Sequence, residues 1–329
     1  MAEVVGLREE GEAGRERVLG FYCRWADAAD DRLRWLPGRR VPERFEDRAQ
    51  ALAWFDGERA GLVAAVQWAR EKRFADTAVR LSQCLAVYLG WRRFFDDKIT
   101  VAGIAREAAH RTGDRHREAI AWDHLGGALQ EAGRAWEAID ALTCARDLYQ
   151  EAGDHGREAG AWSNLGLALG RAGWTGDAID AHLRARDLFH AVGNPQREAM
   201  AWTNLGLALR KAGRAGDAID AHLRARDLFQ AVGDRHSEAM AWNGLGLALR
   251  EEGRGGEAIE AHSKSLAIYQ EFEDWYRAGT ALQNLAAAHE HADRPAKARA
   301  HYLQAAAAYT RANAPAEAAH AQSAADSLT

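Results

Sequence analysis

The sequence predicts an all-α solenoid of antiparallel helix pairs, and three observations carry that expectation. The block Trp-x-x-Leu-Gly returns at Trp122-Leu125-Gly126, Trp162-Leu165-Gly166, Trp202-Leu205-Gly206 and Trp242-Leu245-Gly246, with the period of about 40 residues that stacked helical units require. Within each unit, apolar positions recur three and four residues apart, which places them on one helical face. The run Asp177–Phe189 also returns unchanged as Asp217–Phe229, so successive units should present nearly the same surface. An array of this kind displays a long face rather than enclosing a reaction, and a face that repeats suits an extended partner such as a peptide backbone.

Taken in order, residues 1–44 read as a helix and a linker. Val18, Leu19, Tyr22, Cys23, Ala26 and Ala29 fall at helical spacing within Arg15–Leu36, and a turn at Pro37-Gly38 with Pro42 close behind should interrupt the chain. Residues 45–114 read as degenerate helical pairs, with apolar stripes over Phe45–Arg73 and Phe74–Arg93; Asp96-Asp97 suit a helix start, where carboxylates meet the positive end of the dipole. Residues 115–312 hold about five units.

In a representative unit the first helix runs from Glu198 to Lys211 and buries Ala201, Trp202, Leu205, Ala208 and Leu209. Gly213 closes it in the left-handed conformation, as Gly133, Gly173 and Gly253 do elsewhere. The second helix runs from Asp217 to Val232 with Ala218, Ile219, Leu223, Ala225, Leu228 and Phe229 inward. Small residues at Gly206 and Ala218 let the two helices approach, and bulk at Gly206 should separate them. The fifth unit has lost the signature, reading Leu282, Leu285-Ala286 and Asp293, and residues 313–329 read as a capping helix over Ala314–Leu328.

Hydrophobic residues make up 47% of the 329, yet Arg, Asp and Glu interrupt every run well short of the roughly 18 residues a membrane span needs. No membrane partner is expected. Met1–Glu10 carries Glu3, Arg8, Glu9 and Glu10 rather than a basic start and an apolar core, so no secretory signal is read and a cytoplasmic location is expected. The three cysteines, Cys23, Cys84 and Cys144, are odd in number and far apart, and read as reduced residues rather than a disulfide or zinc framework. A net charge of -5 with acids and bases interleaved disfavours nucleic acid.

The pattern Trp122-x-x-Leu125-Gly126, Gly133, Ala138 and Ala145 resembles the tetratricopeptide repeat, over about His116 to Arg311. That resemblance implies a right-handed superhelix whose concave face binds protein or peptide. Two departures stand out: Leu142, His182, His222 and His262 replace the large aromatic of the second helix, with only Tyr302 conforming, and the closing proline is absent. Further upstream, Tyr22-x-x-x-Ala26-Asp27-Ala28-Ala29-Asp30 and Phe45-x-x-Arg48-x-x-Ala51-Leu52-x-Trp54-Phe55, continuing through Glu58-Arg59 to Leu62–Val66, resemble the segment joining ATPase to repeats in actinobacterial STAND-type regulators. This implies a sensor portion or a stand-alone relative. No Gly-x-x-x-x-Gly-Lys-Ser/Thr occurs, so ATP hydrolysis is not carried over.

Candidate groove residues follow. Asn164, Asn204 and Asn284 stand two residues after the Trp position, with His124 and Gly244 at the equivalent places. Units about 10 Å apart would space these amides by about three residues of extended chain, and Ala-Trp-Ser-Asn-Leu-Gly is similar to the asparagine ladder of the O-GlcNAc transferase repeats. Bracing of the neighbouring helix is the other use such amides have. If the resemblance holds, Ser163, Thr203, Asn243 and Gln283 face the same groove, as do Arg171, Arg210, Lys211 and Arg250. These cations suit acidic or C-terminal groups, although Glu131, Glu251 and Glu290 interleave with them as on a solvated mixed face.

His182, His222 and His262 recur once per unit. Helices one repeat apart hold them too far from each other to share a metal, so they read as packed second-helix residues whose protonation below about pH 6 should soften the core. No Ser-His-Asp or Cys-His set is repeated, and neither enzyme activity nor a cofactor is expected. The reading is a peptide- or protein-binding scaffold in signalling; the alternative is a structural module that self-associates through its ends.

Overall fold

The computed structural model describes residues 2–35 and 42–328, and their regular structure is helical throughout. The turn expected at Pro37-Gly38 lies outside the described residues. Two compact units form, Met1–Ala168 and Leu169–Thr329.

In the first unit, α1 (Ala2–Arg34), α2 (Arg48–Trp68), α3 (Ala75–Trp91) and α4 (Phe95–Thr112) share one core that buries Leu19, Leu33, Phe55, Leu62, Leu85 and Tyr88. Phe55 and Tyr88 stack with centroids 4.7 Å apart, and the Tyr88 hydroxyl donates to Asp56 at 2.9 Å, so the ring is buried while its polar tip is satisfied. Arg32 Nε donates to the Phe45 carbonyl at 2.6 Å, and Asp47 caps α2 by accepting from the Gln50 N–H at 2.8 Å. Phe45, Phe55, Leu62 and Val66, which carry the regulator resemblance, are buried in this core, and Tyr22 and Trp54 pack against it. Three further helices follow: α5 (Arg115–Glu131), α6 (Ala135–Glu151) and α7 (His155–Ala172).

The second unit stacks α8 (Thr175–Ala191), α9 (Pro195–Lys211), α10 (Ala215–Ala231), α11 (Arg235–Glu251), α12 (Gly255–Glu271), α13 (Trp275–His291), α14 (Pro295–Arg311) and α15 (Pro315–Asp326), each packed on its sequence neighbours. Helix α9 begins a turn earlier than Glu198. Asn194 accepts from the Arg197 N–H at 3.1 Å, and Pro195, which has no N–H to satisfy, takes the first helical position. Asp234 and Asp274 cap α11 and α13 in the same way.

Gly213 closes α9 at φ 74°, and the next N–H, of Arg214, reaches back to the Leu209 carbonyl at 2.9 Å. Three later turns adopt this left-handed geometry without glycine, at Glu273 (φ 53°), Asp293 (φ 54°) and Asn313 (φ 54°). A side chain there costs about 1–2 kcal/mol, part of which glycine gives back through unfolded-state entropy. Glu273→Gly is therefore expected to stabilise the chain by about 0.5–1 kcal/mol, read as a higher urea midpoint; an unchanged or lower midpoint would refute the assignment of strain.

A second periodic device is the contact of an arginine on the second helix with the tryptophan of the next unit. The Arg146 guanidinium lies 4.6 Å from the Trp162 ring centroid, Arg186 4.7 Å from Trp202 and Arg226 4.9 Å from Trp242. Each arginine is oriented by the aspartate beside it, at 2.8–2.9 Å from Nε for Asp147, Asp187 and Asp227. With little of each guanidinium exposed to water, the ring quadrupole attracts it strongly enough to help set repeat spacing.

The helix pairs close where glycine meets the odd residue of the second helix. A Cβ on Gly126 would stand 2.5 Å from Leu142 Cγ, one on Gly206 2.7 Å from the His222 ring, and one on Gly246 2.6 Å from the His262 ring. Leu142, His222 and His262 are fully buried and His182 nearly so. They fill the place of the usual aromatic, and for Leu142, His222 and His262 only a bare glycine backbone admits the side chain.

Candidate functional site

Two consecutive positions on each first helix build the candidate face. In the first unit Asn164 Nδ2 donates to Asp123 Oδ1 at 3.1 Å, and the Asn164 carbonyl accepts from Gln130 Nε2 at 2.6 Å. In the second unit Asn284 Nδ2 donates to Asn243 Oδ1 at 3.0 Å. Each of these half-buried ladder amides therefore ties its own repeat to the residue after the tryptophan position of the repeat before, which is the bracing use of such an amide. The Asn243 oxygen also accepts from His262 Nδ1–H at 2.9 Å, which assigns that ring's tautomer. Gln283 Oε1 accepts from the Tyr309 hydroxyl at 2.6 Å, and the Thr203 hydroxyl turns back onto the Ala199 carbonyl at 3.0 Å.

At Gly244 the ladder has no side chain to offer. Here the structure places a pocket of about 550 Å³, with Thr203, Asn204 and Asn243 on its wall. Met200, Leu207, Met240 and Leu247 supply its apolar surface, Tyr276, Arg277 and Thr280 come from α13, and His222 lies beneath. Met200, Leu207 and Tyr276 are exposed to between 41 and 48%, a concentration of accessible large side chains on first helices that is typical of a binding cleft. Sequence reasoning named Thr203, Asn204 and Asn243 and read His222 as a packed second-helix residue, but passed over the methionines and the leucines. The signal was available in Met200 and Met240, which stand at equivalent places in two units on the face opposite the tryptophans.

Two of the charged candidates, Arg210 and Lys211, bond within the chain itself. Arg210 pairs with Glu251 at 2.6 Å across α9 and α11, and Lys211 Nζ donates to the Gly170 carbonyl at 2.5 Å. Arg250 lies with Ala287, Glu290 and His291 around a second, shallower depression and makes no ion pair among the described residues. Asn284 contributes through its bond to Asn243, while Ser163 and Asn164 belong to the first unit.

The electrostatics beneath the pocket are set by burial. Desolvation pushes His222 down to about 4, with the Arg210 charge adding to it; His182 is pushed to about 4 by burial alone, and His262 to about 4 by burial and then by Arg250. All three are neutral at pH 7. Among the described residues no group of three His, Cys, Asp or Glu side chains is placed to hold a metal ion, and no helix is long and apolar enough to cross a membrane.

Residues 157–231 and 237–311 match the tetratricopeptide repeat family model, so these two segments are tetratricopeptide repeats. No curated protein is a significant match to the sequence. Among solved structures, BtubC (BKLC) from P. vanneervenii is 21% identical with a TM-score of 0.59, over 67% of this chain and 92% of that one. A Rap protein complexed with Competence and Sporulation Factor is 13% identical with a TM-score of 0.55, over 96% and 97%. A Signal Transduction ATPase with Numerous Domains (STAND) protein with a tetratricopeptide repeat sensor, from Pyrococcus horikoshii, is 14% identical with a TM-score of 0.55, over 82% of this chain and 46% of that one. At these identities the likeness is one of fold.

Proposed function

We propose that this tetratricopeptide array is a cytoplasmic peptide- or protein-binding scaffold that takes an extended segment across the first helices α9, α11 and α13. The observation that carries the reading is the pocket at Gly244, where ladder amides, accessible Met200 and Leu207 with half-buried Met240 and Leu247, and unused hydrogen-bonding capacity converge on one face. Asn243 has both Nδ2 hydrogens unspent among the described residues. Amides that brace a helix with one group still present another to a backbone, because each carries two donors and two acceptor sites. The fold shared with a Rap protein that was captured with a bound factor is in keeping with this use.

The finer role we propose is the sensor portion of a STAND-like signalling regulator. Its supports are the residues of α1 and α2 that resemble the junction of such regulators, and the likeness in fold to the P. horikoshii protein.

Selection of displayed random peptides on the immobilised chain, followed by fluorescence anisotropy on the winners, tests the groove. Asn204→Ala with Asn243→Ala is expected to weaken the selected peptides about tenfold or more, since a net hydrogen bond is worth about 1 kcal/mol. Peptides that bind the double variant as tightly as the parent would place the interaction on another face.

A further inference from the structure

The floor of the Gly244 pocket carries a polar group that the chain itself leaves unmet. His222 reaches from α10 to lie between Gly206 of α9 and Gly244 of α11, so close that a Cβ on Gly244 would stand 2.4 Å from its Cε1. The ring is fully buried, and neither Nδ1 nor Nε2 has a hydrogen-bond partner. Its counterpart one repeat on, His262, gives Nδ1–H to Asn243. The residue equivalent to Asn243 in the repeat of His222 is Thr203, whose shorter side chain turns back to donate to the Ala199 carbonyl and does not meet the ring. Thus the interruption of the ladder at Gly244, the pocket and the unpaired imidazole coincide.

We propose that this pocket is the anchoring subsite of the groove and takes a tyrosine side chain of the bound segment, its phenol hydroxyl meeting a His222 nitrogen. The proposal rests on the groove reading above. The walls favour an aromatic ring, because Met200 and Met240 set thioethers beside Leu207 and Leu247, and sulfur packs well against ring edges. The tip must be neutral and able to hydrogen-bond. A cation would face a ring already beside the Arg210 charge, and a carboxylate would have to be desolvated against those apolar walls. A phenol both donates and accepts, so it satisfies either tautomer of a neutral imidazole, which phenylalanine cannot do. A site with a buried unpaired polar group discriminates sharply for the ligand that pairs with it.

The test uses the full chain and two probes, N-acetyl-tyrosinamide and N-acetyl-phenylalaninamide, with the His222 ring signals followed by NMR. Saturable shifts of those signals are expected with the tyrosine probe, bound at least about fivefold more tightly than the phenylalanine probe. His222→Leu copies Leu142, which packs on Gly126 at the same place in another repeat; it is expected to reduce that preference to less than about twofold. Leu247→Trp, on the half-buried pocket wall, provides a second variant that should abolish binding of both probes while leaving the core untouched. Equal affinity for the two probes, ring signals that do not move, or an undiminished tyrosine preference in either variant would overturn the proposal. A chain that binds library peptides without favouring tyrosine loses this subsite and keeps the groove; one that binds the tyrosine probe at His222 but no peptide keeps the subsite and loses the groove.

Discussion

Lowering the pH from 7 to 4 is expected to destabilise the second unit steeply, and histidine rather than carboxylate chemistry should be responsible. His182, His222 and His262 sit near 4 when folded against an ordinary 6.5. As pH falls through 6.5, the unfolded chain takes up protons that the folded one refuses. The stabilisation is therefore whole above pH 6.5, declines through the interval and is exhausted by about pH 4, at on the order of 3 kcal/mol for each ring. His289 and His301, each lowered first by burial, act in the same direction there, as His124 does in the first unit. Urea midpoints at pH 7 and 4.5 should fall markedly for the parent and much less for a variant carrying His182→Leu, His222→Leu and His262→Leu. A parent midpoint that is level over this range, or a variant that falls as far, would show that the rings are not what the acid attacks.

The second large effect concerns adjacent glycines on α5. Gly126→Ala and Gly127→Ala each gain about 1 kcal/mol of helix propensity, but a Cβ on Gly126 would meet Leu142 Cγ at 2.5 Å while one on Gly127 meets nothing within 4 Å. Overpacking of a close contact costs about 1–3 kcal/mol or more. Gly127→Ala should therefore raise the melting temperature, whereas Gly126→Ala should lower it. Gly206→Val, driven into the His222 ring, should cost about 3 kcal/mol or more. Matching melts for the two alanine variants would remove glycine-mediated approach as the reason these helices lie so close.

The helix pairs were legible because two independent periods agree in each unit: the three-and-four spacing of apolar residues within helices, and the forty-residue return of Trp202-Leu205-Gly206. The first turn of α9 was missed because Asn194-Pro195 reads as a breaker until it is recognised as a cap followed by a proline at the first helical position. The Arg-Asp pairs at 146, 186 and 226 are also visible as a repeat, yet a pairing between units depends on which side chain of the next helix they meet, and spacing alone does not show that. The same holds for the site. The interruption at Gly244 is plain in the sequence, but that His222, from a helix of the preceding unit, fills the ground beneath it follows only from packing. Arg210 and Lys211 looked available as reading groups and instead bond to Glu251 and the Gly170 carbonyl, because long side chains on stacked helices reach the adjoining repeat as readily as a ligand.

Photo-cross-linking of the tightest selected peptide to the intact chain tests the central claim most directly, since it reports which helices line the bound segment. Covalent marks on the pocket-facing residues of α9, α11 and α13, with Met200 and Met240 among them, are predicted. Marks confined to the second helices α8, α10 and α12 would contradict the assignment of this face as the one that binds.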